Sequence, residues 1–546
     1  MNAVPKLRVR QSITQLQDQY TAGNTKPLED LWRAFSAIKQ LTPDDAHSFF
    51  TLAGYHGEPF RGPGVADPRY WGGYCHHGNV LFPTWHRVYI FELEQALRGV
   101  PGCQDVTLPY WDETSEDSQA NGIPWALTRQ TVELDGKAIP NPLCSFMLSV
   151  GVDDRVAGDD SVYSKPKGYQ TVRYPKAGLA GTADAQRQSG EHNADFTDYT
   201  RDVRLLNQNI INWLGDTMTV AGKQVAGGKV AEMYRRCLET TTYTLFSNKT
   251  SEGNWNDDVT QQGRGSMVAA LETPHDAIHV AVGSFDVPGG DGVEGASGDM
   301  GEPDTAGFDP IFYFHHCFID RVFWLWQQRH GFTDHLDIDA GYPGTNSSDG
   351  KPPQGATPGI DLNTPLDLNT PLYPFIKADG KPYTSADCIN IETDLGYTYG
   401  PGSLQDLPAP TSHAASPRRV IAATGINRAN IHGSFLVSAF GTSNGQRVHL
   451  GTKAEFNRWD VDRCENCKTH QEVKAFIAVP APAASLMAAA SEEMLDEMSS
   501  YALELRTHDR VIHSDESHPQ RGAESRAIQT DSSDQPDFRF EIREIQ

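Results

Sequence analysis

Six histidines fall into two triplets along the chain, and no other feature restricts the possible folds as tightly. His56, His77 and His86 lie within LAGYHGEPF and GGYCHHGNVLFPTWHR, and His275, His279 and His316 lie within TPHDAIHVAVG and FDPIFYFHHCFIDRVFW. Three neutral imidazoles per ion, twice over, build a paired-metal centre, and imidazole suits copper, zinc and iron. A fold that uses them brings both sets together from separate helices, so that two ions sit side by side with vacant faces.

The spacing within each triplet carries the argument. His275 and His279 are four residues apart, so on a helix they share a face. His315 and His316 are about 100° apart on a helical turn, so only one of them is expected to face the same ion. His316 is taken as that ligand, and His315 as a packed neighbour. His86 sits on an aromatic-rich helix, PTWHRVYIFELEQAL, His77 in the Gly-rich loop before it, and His56 in the preceding segment. Cys75, two residues before His77, reads as a small buried hydrophobe, a thiolate ligand or a residue cross-linked to the ring. Three nitrogens per ion leave open positions, which a reactive site needs and a structural one does not. No carboxylates accompany the triplets as ligands, which disfavours a di-iron carboxylate site, magnesium and calcium.

The 546 residues divide by pattern. Residues 1–400 read as one mostly helical, loop-rich unit. Its helices are expected at 27–40, 83–98, 202–214, 228–246, 273–283 and 309–329, the last with Asp309 as N-cap and Pro310 at its first position. Long Gly/Pro/Asp-rich loops cover 283–308 and 340–372. Residues 401–418 form a Pro/Ser-rich linker. Residues 419–513 alternate short apolar runs with turn residues, among them GSFLVSAF, KAFIAV and YALELRT, and read as a small β-sandwich. Residues 514–546 form an acidic tail expected to be disordered.

The formal net charge is −25, which argues against nucleic-acid or anionic-membrane partners. No run of 18 apolar residues exists to span a bilayer, and the N-terminus has no apolar secretory stretch. The sequons at Asn248 and Asn346 are then expected to be unused. Eight scattered cysteines make no disulfide framework, so an intracellular, cytoplasmic, reduced protein is expected. Cys464-Glu-Asn-Cys467 offers two thiolates for soft Cu(I), a redox pair, or two unremarkable thiols. Cys103, Cys144, Cys237, Cys317 and Cys388 read as buried free thiols.

Taken together, HGEPFRG…WGGYCHHGNVLFPTWHR, TPHDAIH and FDPIFYFHHCFIDRVFWLWQ closely resemble the fungal tyrosinases of the type-3 copper family, which also holds catechol oxidases and haemocyanins. The resemblance is strong over residues 50–400 and looser beyond. It implies a mainly α fold, in which a four-helix bundle holds two coppers, and a C-terminal domain that shields them. His56, His77 and His86 would bind one copper, and His275, His279 and His316 the other. It further implies a Cys75–His77 thioether, copper loading through Cys464 and Cys467, and an aromatic plug, for which Phe456 is the candidate. Tyr397 and Tyr399 would pair with Arg8 or Arg10. The implied chemistry is O2-dependent oxidation of phenols and catechols to o-quinones, in melanin or other secondary metabolism. Glu272 would position a water, or else be an ordinary first-turn helix acid. Phe312 would border the substrate ring. One departure stands out: Asp276 follows His275 where phenol-hydroxylating tyrosinases carry Asn, and a carboxylate there could itself act as base. Relatives that hold two zinc ions and run non-redox rearrangements, as in the cyclopenase step of viridicatin biosynthesis, are the alternative. Expected partners are a small phenolic or aromatic substrate and O2, with a copper chaperone and a second copy of the chain as further candidates.

Overall fold

The computed structural model describes residues 7–57, 73–154, 161–290, 292–348, 359–407, 419–443, 445–461, 464, 466–479, 500–513 and 539–545. Seven helices position the histidines: α1 (Lys26–Gln40), α2 (Phe49–Ala53), α3 (Phe82–Gly99), α4 (Tyr199–Leu214), α5 (Lys249–Gln261), α6 (Glu272–Gly283) and α7 (Ile311–His330). Their starts obey local chemistry. Pro83 stands in the first turn of α3, and the side chains of Ser48, Asp198 and Asn248 cap α2, α4 and α5. α1 buries Leu28, Leu31, Trp32, Phe35 and Ile38, a single stripe at three- and four-residue spacing. By contrast, α7 buries every residue from Ile311 to Trp324 and α6 nearly all of its own. Helices buried all round lie at the centre of a core, and α7 packs directly on α3. Among the described residues, no helix is long and apolar enough to cross a membrane.

Two expected boundaries move. α7 begins after Pro310, so Pro310 and not Asp309 is its N-cap, although Asp309 Oδ1 still accepts from the Ile311 N–H at 3.1 Å. The expected helix over 228–246 is two helices, Val230–Cys237 and Tyr243–Ser247. The break falls on Glu239-Thr240-Thr241-Thr242: three threonines in a row are poor helix interior, and the Thr242 hydroxyl caps the second helix.

A two-stranded parallel ladder closes the helical unit, β1 (Arg8–Arg10) on β2 (Tyr397–Tyr399). Arg10, not Arg8, meets the tyrosines: its guanidinium lies 3.6 Å from the Tyr397 ring centre and donates to Tyr399 Oη at 3.1 Å. Behind it sits Asp320 of α7, which accepts from Arg87 of α3 at 2.5 Å, Tyr397 at 2.6 Å and Tyr399 at 2.5 Å. One carboxylate therefore ties both ends of the helical unit to the two central helices.

The second unit is the expected sandwich. Its strands are β3 (Arg419–Asn427), β4 (Phe435–Ser443), β5 (Gln446–Glu455), β6 (Glu472–Val479), β7 (Ser500–Arg506), β8 (Val511–His513) and β9 (Arg539–Glu544). They form one sheet in the order β5-β4-β7-β8 and a second in the order β6-β3-β9. Ile421, Ala475 and Ile477 of one sheet and Val437, Ala439 and Leu503 of the other share one apolar core. β9 corrects the reading of 514–546 as a wholly disordered tail: Arg539–Glu544 pair antiparallel with β3, and Phe540 is buried. Residues 408–418 of the expected linker and 514–538 of the tail lie outside the described residues. β5 rests on α6 and β6 on α5, so the sandwich sits over the helix that carries His275 and His279 and over the one that begins at Lys249.

Burial raises the Asp320 carboxyl, but Arg87 and Arg10 outweigh it and hold it below its ordinary 3.8. Its stabilisation is thus fully present above that pH and lost as pH falls further. Asp320→Ala should cost about 3–5 kcal/mol at neutral pH, because Arg10 and Arg87 stay buried without their partner. Urea unfolding checks this, and a cost below about 1 kcal/mol would contradict it.

Candidate metal centre

All six histidines meet in the interior. His56 follows α2, His77 sits in the loop before α3, His86 lies on the first turns of α3, His275 and His279 on α6, and His316 on α7. One ring nitrogen from each of His56, His77 and His86 falls within 4.8 Å of the others, and so do nitrogens of His275, His279, His315 and His316. The groups are adjacent: the His86 and His316 rings stack at 4.5 Å, and His77 and His275 lie 5.7 Å apart.

Four of the six rings are aimed by a bond on the far nitrogen. His56 Nδ1 donates to Pro303 O at 3.1 Å, His86 Nδ1 to Phe82 O at 2.8 Å, His275 Nδ1 to Asp276 Oδ1 at 2.9 Å and His279 Nδ1 to Met300 O at 2.9 Å. Such bonds fix the tautomer with Nε2 bare and pointing inward. Close backbone approach makes this possible. A Cβ on Gly73 would fall 2.0 Å from His56 O, and one on Gly283 would fall 1.9 Å from Gly301 N, beside the Met300 carbonyl that holds His279.

The bare nitrogens fit a metal. Nε2 of His56, His77 and His86 are buried without a hydrogen-bond partner. In the second group, Nε2 of His275 and of His279 each lie 3.3 Å from His316 Nε2. Nitrogens each about 2.0–2.1 Å from one tetrahedral ion stand about that far apart. Burial pushes all six imidazoles below their ordinary titration range, His56 to about 4, and their mutual repulsion adds to the effect in the other five. They are therefore neutral ligands at physiological pH.

His315 differs from its expected place. Its ring lies 5.2 Å from His275 and 5.0 Å from His279, inside the second group and not turned out of it. Its Nδ1 donates to Glu113 Oε1 at 2.6 Å, and Tyr234 donates to the other Glu113 oxygen at 2.6 Å. Neither partner was visible in the sequence. His316 Nε2 lies 3.3 Å from Nε2 of both His275 and His279, whereas His315 Nδ1 is taken by Glu113.

Glu272 opens α6. It accepts from Gly78 N–H at 2.9 and 3.0 Å and from Lys249 N–H at 3.1 Å, which pins the His77 loop against the start of α5. Burial raises its pKa, and Lys249 opposes the rise. Asp276 Oδ2 accepts from Lys249 Nζ at 2.8 Å and from Phe456 N–H at 3.3 Å. Burial pushes Asp276 well above the ordinary carboxyl range, again against Lys249. Lys249 thus supplies the positive charge that the Asp276 departure calls for. Sequence reasoning missed it, although a lysine in the first turn of a helix runs against the helix dipole and was a signal.

Phe312 is fully buried, 4.1 Å from the His316 ring and 4.8 Å from His56, so its contacts are with ligand rings. The ring that enters the centre from outside is Phe456, just beyond β5. It stacks on His279 at 4.0 Å with 19° between planes, 6.1 Å from His275 and 6.0 Å from His77. Cys75 and Cys467 border the same small cavity as His77 and Phe456, and the sulfurs of Cys464 and Cys467 are bonded to each other. Cys103, Cys237, Cys317 and Cys388 are buried free thiols as expected, whereas Cys144 is half-buried beside Tyr199. Asn248, the first sequon, is buried and capping α5.

Residues 46–329 match the family model of the common central domain of tyrosinase. The chain belongs to the tyrosinase family. It is 49% identical over 505 residues to Tyrosinase HcTyr2 of Hahella sp., covering 88% of this chain and 90% of that one. It is 44% identical over 481 residues to the tyrosinase of Aspergillus oryzae, covering 83% and 86%. The solved structure of the Burkholderia thailandensis tyrosinase at low pH superposes with a TM-score of 0.77 at 45% identity, covering 91% of this chain and 94% of that one.

Each triplet should hold its own ion. His279→Ala should lower bound metal from two ions per chain to one and leave the His56 group filled, with His56→Ala giving the converse, measured by equilibrium dialysis with Zn2+. Retention of both ions by either variant would contradict the assignment. The metal-free fold should also lose stability as pH falls below about 6.5, because the unfolded chain takes up protons that the buried rings refuse. Thermal unfolding of the metal-free protein between pH 7 and 5 checks this, and an unchanged midpoint would contradict it.

Proposed function

We propose that the protein is a type-3 dicopper oxidase that converts phenols and catechols to o-quinones with O2. The observation that carries this is the pair of adjacent, neutral imidazole groups, three histidines beside four and free of ligating carboxylates, in a chain of the tyrosinase family. His56, His77 and His86 would hold one copper and His275, His279 and His316 the other. A copper pair supplies the O2-dependent oxidation when bound. The redox-silent dizinc alternative is not favoured, since the relatives above carry tyrosinase names.

The chain's own residues do the rest. The substrate ring takes the place of Phe456, flat on His279, once the sandwich moves aside. Withdrawal of the Phe456 N–H also uncovers Asp276 Oδ2 on the side facing that ring. A buried carboxylate with a raised pKa at that point suits the proton of an incoming phenol. Glu272, held by three backbone N–H bonds, keeps the His77 loop in register with α6. In the sandwich, Cys464 and Cys467 would serve copper loading once a cellular thiol has reduced their disulfide, Cys467 lining the cavity that His77 also borders. A Cys75–His77 thioether would form by joining Cys75 Sγ to a ring carbon of His77, the S–H and C–H hydrogens and their two electrons passing to O2 as H2O2.

The copper-loaded full chain should consume O2 with 4-methylcatechol and release the o-quinone. Phe456→Ala should raise that rate at least about tenfold by freeing the ring position. An oxygen electrode reads both. No O2 uptake from either protein, with both coppers bound, would refute the oxidase assignment.

A further inference from the structure

Glu455 and Phe456 enter the centre together, as one dipeptide. The Phe456 ring lies on His279 while the neighbouring Glu455 carboxylate accepts from Lys249 Nζ. Both side chains are buried. A cation on the helical unit thus receives a carboxylate that is attached, through a short chain, to an aromatic ring on the metal centre. Lys249 is anchored on its other side by Asp276, at 2.8 Å, with Glu272 at 3.9 Å. The amine therefore stays in place when the sandwich leaves, and only its bond to Glu455 is vacated.

We propose that Lys249 is a specificity-determining residue that binds the carboxylate of phenolic acids, and that Glu455-Phe456 is a built-in imitation of such a substrate. The assignment rests on the oxidase reading only for what happens to the ring once it is bound. Two carboxylates already stand beside Lys249, so a third would ordinarily be repelled. The buried Glu455 carboxylate shows that the site accepts one there when it reaches the amine. A charge-assisted bond in a half-buried pocket separates an acid from its uncharged amide far better than ring contacts do. Were Lys249 merely a latch for the sandwich, its loss would change how readily the site opens but not the choice between the two.

The test uses the copper-loaded full chain carrying Glu455→Gln and Phe456→Ala, which clears both halves of the dipeptide. It compares the catechol acid 3-(3,4-dihydroxyphenyl)propionate with the corresponding amide. The acid should be preferred in kcat/KM by about tenfold or more, mainly through KM. Adding Lys249→Arg should keep the preference, and adding Lys249→Met should abolish it. Equal kcat/KM for acid and amide, or a preference that survives Lys249→Met, would overturn the assignment. Calorimetry on the zinc-loaded forms of the same proteins repeats the comparison without turnover, with the same ratio expected and equal affinities counting against it. A chain that oxidises neither compound would sink the oxidase reading, and the calorimetric ratio would still decide Lys249.

Discussion

Everything in this molecule depends on keeping six imidazoles dry, neutral and aimed at two points. Burying so many nitrogens without hydrogen-bond partners is costly, and an interior that tolerates it does so because an ion repays the cost on binding. Backbone carbonyls at Phe82, Met300 and Pro303 and the Asp276 carboxylate hold the far nitrogens. These partners come from α3, the 284–310 segment and α6, so the centre is assembled by the whole helical unit and not by any one motif. The Asp320 cluster then locks α3 to α7 and both to the two ends of the helical unit.

The sandwich adds a second layer of control. It places Phe456 over His279, Glu455 on Lys249, and Arg458 against Asp154 and Asp304, while Ser434 donates to Gly301 O at 2.7 Å near the loop that aims His279. Ring, carboxylate and backbone contacts all converge on the groups that orient the second triplet. A domain docked in this way both closes the substrate's position and braces the ligands beneath it.

The sequence was most legible where local periodicity and site chemistry coincide. His275 and His279 on one helical face, and His316 on a helix rich in large apolar residues, could be read directly, as could the alternating strands of the sandwich. Arg10 against Arg8 was undecidable from spacing, because both lie on the same short strand and only register separates them. Met300 and Pro303 act through main-chain oxygens, which leave no residue signature. Glu113, Tyr234 and Lys249 reach the centre from far away in the chain, and tertiary packing alone brings them there. β9 did carry a signal, since RFEIRE alternates charged and apolar residues, but the polar stretch before it hid a strand that forms only by pairing with β3.

The most direct test is X-ray absorption at the metal edge of the chain purified with its native metal. The account predicts two copper ions per chain, each with three imidazole nitrogens at about 2.0 Å, and a metal–metal distance of about 3.5–4 Å. A single ion, two ions far apart, or a coordination shell dominated by thiolate or carboxylate would contradict it.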